Sequence, residues 1–537
     1  MVWHARKKCQ RGFDAPLRFT RKRAPARRAF VSVLLCALAC CHAPETAPPP
    51  ATVVVALESA PSVLDPRFTT DANSSLVAAL VSDGLTASDE RGDSVPALAE
   101  WRQPSPLEYQ FTLRPEARFH DGTAVTAADV AATYRSVLDP ALGSPKREAL
   151  AAIAAIEVPD PRTVVFRLRE VSAAFLETTN LGILPARLTG RGPLPPLEVI
   201  GSGPFRVTAM LDGGGVDLAP HAEALGGPPR LARLRFRVIP DGVVRALELA
   251  SGSVHLVQNA LDPDLLPWLA ARPELELVIS PGTTFQYLGL NFRDPRLADR
   301  RIRQALAYGI DREAIVHHLL RDTARPASGL LPPSHWAYDG DVARYPYDPG
   351  RARELLRAAG LGADVDAALR RFSYKTSTVE LRRRIAEVFQ HDLGRLGLGI
   401  DVRSYEWATF YHDIRRGNFE LYALAWVGVR DPDVYYRIFH STMQPPVGTN
   451  RGAYANPEMD ALLTAAHATE DRVERRRLYA AVQRLAAEDL PVVPLWWADN
   501  VVVKSRALMG FRPSPDGDLH SLATATLRAA APPNPVP

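Results

Sequence analysis

From Val53 to Trp497 the chain alternates short runs of strand period with helices that carry their own start and stop signals, and no fixed repeat length links them. A chain patterned this way folds as mixed α/β layers rather than as a solenoid or a propeller. "VVVAL" (Val53 to Leu57) has the composition of a buried strand. Tyr109, Phe111 and Leu113 alternate with Gln110, Thr112 and Arg114, and Leu234, Phe236 and Val238 repeat that period. Thr126 and Asp129 predict a capped helix start ahead of a Val130, Tyr134, Val137, Leu138 stripe. Asp348-Pro349 opens a second helix, burying Ala352, Leu355, Leu356 and Ala359 and stopping at Gly360. Asn456-Pro457 opens a third, with Met459, Leu462, Leu463 and Ala466 on one face.

The start of the chain sets the expected compartment. Residues 1 to 28 carry ten Lys or Arg against one acid, Asp14, and the next twelve residues, "AFVSVLLCALAC", are apolar. A basic stretch before about a dozen apolar residues has the anatomy of an export signal, and it falls short of the ~20 residues that a membrane-spanning helix needs. All four cysteines (Cys9, Cys36, Cys40, Cys41) lie in this leader, so an internal disulfide is not expected after cleavage. The small-residue site ending in Cys resembles a lipobox, in which Cys40 or Cys41 becomes the lipidated first residue. With Cys40, Ala37 stands where a larger aliphatic is usual; with Cys41, the preceding residue is Cys40 rather than Gly, Ala or Ser. An ordinary secretory signal is the alternative. Residues 41–51 are Pro-rich, the composition of an extended tether. The expected product is exported to the periplasm or cell envelope and lipid-anchored there.

Without the leader the charge changes sign. The whole chain is +4, and residues 1–40 hold ten basic residues and one acid, which leaves −5 for residues 41–537. A mildly acidic chain is a poor nucleic-acid binder, and Arg-heavy usage with only six Lys does not amount to a basic patch. The length calls for two or three domains.

Catalytic signatures are missing. The sequence has no Gly-x-Ser-x-Gly, no His-Glu-x-x-His, no phosphate-cradling Gly-rich loop with Lys, and no cysteine beyond the leader. Adjacent His317 and His318 are poorly placed to share a metal. In "FHDGT", Asp121-Gly122 reads as a turn, and "GSGPF" (Gly201 to Phe205) as a tight turn with close backbone approach. No enzyme, metal or cofactor is expected.

Eight segments together resemble one family: "SAPSVLDPRFTTDANSS", "VPALAEWR", "FTLRPEARFHDGTAVTAADVAATY", "GSGPF", "LGLNFRDPRLADRRIRQALAYGIDREAIV", "YDPGRARELLRAAG", "NPEMDALL" and "LPVVPLWWADNVVV". In order from about residue 52 to 510, they are similar to the extracellular solute-binding proteins of family 5, the oligopeptide-, dipeptide- and nickel-binding components of ABC importers. The resemblance implies a type II periplasmic-binding fold: two α/β lobes joined by a hinge, with an extra domain on the first lobe. It places lobe I at 52–285 plus 487–530, including an inserted domain at about 67–198, and lobe II at 286–486. It also implies capture of a short peptide or related small polar solute for permease subunits in the inner membrane, by a monomer. A ligand-sensing receptor of the same fold, or capture of an opine, sugar or metal chelate, is the alternative, and a secreted hydrolase with a dispersed site is a third.

The stretch "ALAWVGVRDPDVYYRIFHS" is where the resemblance departs from the family pattern. Peptide-binding members carry an acid after the Trp of this corner, and it pairs with the ligand's α-amino group. Here Trp426 and Asp431-Pro432 match, but the loop Val427, Gly428, Val429, Arg430 is one residue shorter and lacks that acid. The ligand is therefore expected not to rely on a free α-amine, because a buried ammonium without a partner is costly. Gly428, Val429, Arg430 and Asp431 become candidate ligand contacts, Arg430 as a forked donor to a carboxylate or phosphate. Asp431 either reaches the ligand or starts the following turn. Trp426 stacks on ligand or ends a core strand. Of Trp496 and Trp497, which point opposite ways along a strand, one is expected to face the cleft.

Overall fold

A computed structural model describes residues 52–89, 92–362 and 364–528. The export signal at 1–40, the lipidation sites Cys40 and Cys41, and the tether at 41–51 lie outside the described residues.

The predicted elements form for local reasons. Thr52–Leu57 is a strand buried along its whole length. Ala127–Leu138 begins with a full capping box: the Thr126 side chain accepts from the Asp129 N–H, and the Asp129 carboxylate accepts from the Thr126 N–H at 2.9 Å. Asp348 caps Pro349–Ala358, and Gly360 follows it at φ +77°. Asn456 caps Pro457–Ala468, which buries Met459, Leu463 and Ala466. Ala359 and Leu462, expected in the core, are only partly covered.

One large mixed sheet organises the molecule. Thr52–Leu57 pairs in parallel with Arg233–Val238, Val55 opposite Phe236. Two long antiparallel strands, Leu275–Leu290 and Val492–Ser505, run through the sheet's centre from Leu275↔Ser505 to Gly289↔Val492. Their register breaks between Ser280 and Thr284. Gly282 sits in that break, where a Cβ would lie 2.4 Å from the Ala498 carbonyl oxygen, so only glycine fits.

The same two strands change cores at the break. Val502 packs with Val53, Phe205 and Phe236 on one face, and Val503 with Val54 and Leu249 on the other. Past the break, Val493, Leu495 and Trp496 pack with Leu306, Phe372 and Phe389, and Trp497 packs with Phe285, Tyr435 and Tyr479. Residues 492–498 thus share the cores of the second half, although lobe I was expected to begin again at 487.

A separate four-stranded antiparallel sheet orders Ala99–Ser105, Glu108–Leu113, Thr163–Leu168 and Ile153–Asp160, and the helix Ala127–Leu138 packs on it through Tyr134. Tyr109, Phe111 and Leu113 are buried in this core, and the Tyr134 and Phe111 rings both meet Phe166 edge-on. "SVLDPRF" has a structural use here: Arg67 and Asp65 form a fully buried ion pair at 2.7 Å, and Arg67 Nη1 also donates to the Thr189 carbonyl at 2.7 Å. Gly201 and Gly203 press against the Val81 and Leu80 carbonyls, the close approach expected of "GSGPF". Among the described residues no helix is long and apolar enough to cross a membrane.

Candidate functional site

The strand Leu421–Trp426 lies beside Leu275–Leu290, with Trp426 opposite Phe285 at the end of the pairing. Val427 is exposed, and Gly428 then adopts φ +64°, a left-handed turn that swings the chain away from the sheet. The chain dives back at Val429, which is 5 % exposed and whose N–H meets the Thr283 carbonyl at 3.4 Å beside the register break. A charged corner follows, and the helix Val434–Phe439 leaves it.

The structure pairs the charges of this corner. Arg430, expected as a free forked donor, forms an ion pair with Asp516, and its carbonyl accepts from His335 Nε2 at 2.7 Å. His335 Nδ1 accepts from the Ala337 N–H at 3.1 Å, so the ring is the neutral Nε2–H tautomer, and burial pushes its pKa down. Asp431 takes a two-pronged bond from Arg475, at 2.9 and 2.6 Å, and accepts from the Asp433 N–H at 2.7 Å. Asp431 is therefore the start of the turn and half of a largely buried pair. Asp433 is held by His467 Nδ1 at 2.9 Å and the Tyr479 hydroxyl at 3.0 Å. Burial by itself would lower the His467 pKa; the Asp433 hydrogen bond and charge override it and raise it.

The tryptophans divide differently. Trp426 is half-buried, stacks on Tyr287 with centroids 6.3 Å apart, and carries the Arg451 guanidinium 4.8 Å over its ring. Trp496 and Trp497 do point opposite ways, but each is 4 % exposed and each ends in a core, so neither presents surface to a cleft.

Ties across the molecule surround the corner. Asn500 Nδ2 donates to the Ser514 and Pro515 carbonyls at 2.7 and 2.9 Å, holding the segment that carries Asp516. On the other side, Asp93 pairs with Arg472 at 3.0 Å and the Ala173 N–H reaches the His467 carbonyl at 3.4 Å. Farther along, Asp264 is shared by Arg321 at 2.7 Å and Arg384 at 3.1 Å.

Sequence reasoning missed two groups here. Glu177, on the short helix Phe175–Thr178, has no hydrogen-bond or ion-pair partner for its carboxylate among the described residues. Burial, and then the charge of Asp431, push its pKa up to about 7, against the pull of Arg430. Arg451 is the other, buried among aromatic rings. Neither "FLETT" nor "TNRGAY" carries a spacing that would have singled it out. Among the described residues no three His, Cys, Asp or Glu side chains come together as a metal site.

The profile of bacterial extracellular solute-binding proteins, family 5 Middle, matches residues 93–445. The chain belongs to that family. Family 5 members are binding proteins of importers, not enzymes, and share the type II periplasmic-binding fold. The oligopeptide-binding protein AppA of Bacillus subtilis (strain 168) is 27 % identical over 496 residues, covering 88 % of this chain and 90 % of AppA. Its structure with a nonapeptide superposes with a TM-score of 0.80 at 25 % identity, over 89 % of this chain and 99 % of that one. The glutathione-binding protein GsiB of Salmonella typhi is 28 % identical over 478 residues, 86 % of this chain and 92 % of GsiB. NikZ of Campylobacter jejuni, solved with Ni(L-His), has a TM-score of 0.79 at 25 % identity, over 89 % of this chain and all of that one. This family 5 chain therefore binds a solute for an ABC importer.

Proposed function

We propose that the protein captures a short peptide or a related small polar solute between the two halves of its sheet and delivers it to permease subunits in the inner membrane. It acts as an exported monomer anchored through lipid at Cys40 or Cys41. The break at Gly282 carries this reading: two long strands serve both halves, change cores at one register slip, and have the paired corner beside them. Ligand contacts made to both halves favour the closed arrangement over the open one, and binding shifts the population toward it. Relatives that bind peptide, glutathione and Ni(L-His) set the size class.

With Asp431 held by Arg475, a ligand amine finds no free acid in the corner loop itself, and Glu177 beside it resists ionisation because burial and the Asp431 charge raise its pKa to about 7. The solute is accordingly one that does not depend on a free α-amine. Small-angle scattering with saturating solute should show a smaller radius of gyration, and calorimetry should give similar affinities for free and N-acetylated peptides. An unchanged radius at saturation defeats the closure reading; a strict requirement for the amine defeats the ligand reading.

A further inference from the structure

Of the arginines around the corner, Arg430 is neutralised by Asp516 and Arg475 by Asp431. Arg451 has no acidic partner among the described residues, although it is only 8 % exposed. Its neighbours are rings. Nη1 donates to the Tyr287 hydroxyl at 2.9 Å and Nη2 to the Tyr411 hydroxyl at 3.4 Å. The guanidinium also lies 4.8 Å over Trp426 and 5.6 Å over Tyr411.

The box reaches the surface. Trp407 stacks on Tyr411, with centroids 5.6 Å apart and planes 9° apart, and it is 51 % exposed; Trp426, under the guanidinium, is half-buried. Beside Arg451, and lined also by Tyr422 and Asn450, is a cavity of about 20 Å³, room for about one water. A guanidinium taken out of water without a counter-ion is penalised, and phenol hydroxyls and cation–π contacts return only part of that penalty. Pure packing would favour an apolar side chain at this position. A cation held in place by rings and short of an anion is preorganised for an anionic group that arrives with the ligand.

We propose that Arg451 receives a carboxylate of the solute, with Trp407, Tyr411 and Trp426 forming the walls for the part of the solute that carries it. This rests on the solute-binding reading and narrows it to carboxylate-bearing ligands. A peptide offers that group at its C-terminus or on an acidic side chain; the chemistry at Arg451 is the same for both.

The test is calorimetric titration of the full chain and its Arg451→Met and Arg451→Lys variants with Ala-Glu-Ala, Ala-Gln-Ala and the C-terminal amide of each. Thermal melting of the variants checks that they fold. The parent should prefer carboxylate over carboxamide at least tenfold at one of the two positions, and which amide loses affinity identifies whether terminus or side chain is read. Arg451→Met should bind the acid and its amide alike, and Arg451→Lys should keep part of the preference. Equal binding of acids and amides by the parent, or an undiminished preference in a folded Arg451→Met, overturns the assignment and leaves solute binding standing. No binding of any of the four overturns the assignment together with the peptide reading.

Discussion

The corner at Arg430–Asp433 and the box around Arg451 use the same materials, arginines set among tryptophan and tyrosine rings, to opposite ends. In the corner Arg475 meets Asp431 with two hydrogen bonds, Arg430 meets Asp516, and Asp433 is shared by His467 and Tyr479. In the box, among the described residues, the guanidinium meets only hydroxyls and ring faces. A neutralised ion pair is framework, because its charge is met before a ligand arrives; a cation short of an anion holds binding capacity in reserve.

The most severe way to break this contrast is Asp431→Ala, which strands Arg475, a side chain only 7 % exposed, without its anion. Stability in a urea titration should fall by about 3–5 kcal/mol, the cost of breaking a buried pair from one side. A loss as small as a surface pair would place Asp431 outside the framework. Arg430→Ala should cost less, about 1 kcal/mol, because Arg430 is 24 % exposed and Asp516 keeps the Ser514 hydroxyl as a donor. Since that pair ties the corner to the segment at 514–517, its loss should also enlarge the unliganded radius of gyration. An unchanged radius would make the pair incidental to closure.

The smallest effect sharpens the comparison through pH. Glu177 faces the corner with its pKa raised to about 7 from 4.5, so the folded state binds its proton more tightly than the unfolded state does. For such an acid, ionisation opposes folding: the parent loses stability as pH rises from about 4.5 to about 7, and the loss is complete above that. Glu177→Gln does not ionise, so it should match the parent at pH 4 and exceed it by about 1 kcal/mol at pH 8, the side chain being partly solvated. Parallel stability–pH curves for the two proteins would show that the carboxylate has found a partner.

How much of this was legible in the sequence depends on distance along the chain. Thr126 with Asp129, Asp348 with Pro349 and Asn456 with Pro457 each act within three residues, and each forms as read. The alternation of Trp496 with Trp497 was legible for the same reason, whereas the left-handed turn at Gly428 was not read from the sequence. Arg430 was read as a free donor because Asp516 lies 86 residues away, and Asp431 was left undecided because Arg475 lies 44 residues away. Trp496 and Trp497 alternate as expected, but the faces they point to are both covered by helices of the second half, which the strand pattern does not record.

The sequence by itself determined the α/β class, the helix starts, the turn glycines and membership of a solute-binding family. Only the tertiary structure decided that Arg430 and Arg475 are neutralised and that Arg451 is held by rings instead of an acid. Caps and periods are settled by neighbours a few bonds apart, whereas a charge is satisfied or not according to what folding brings within about 4 Å of it.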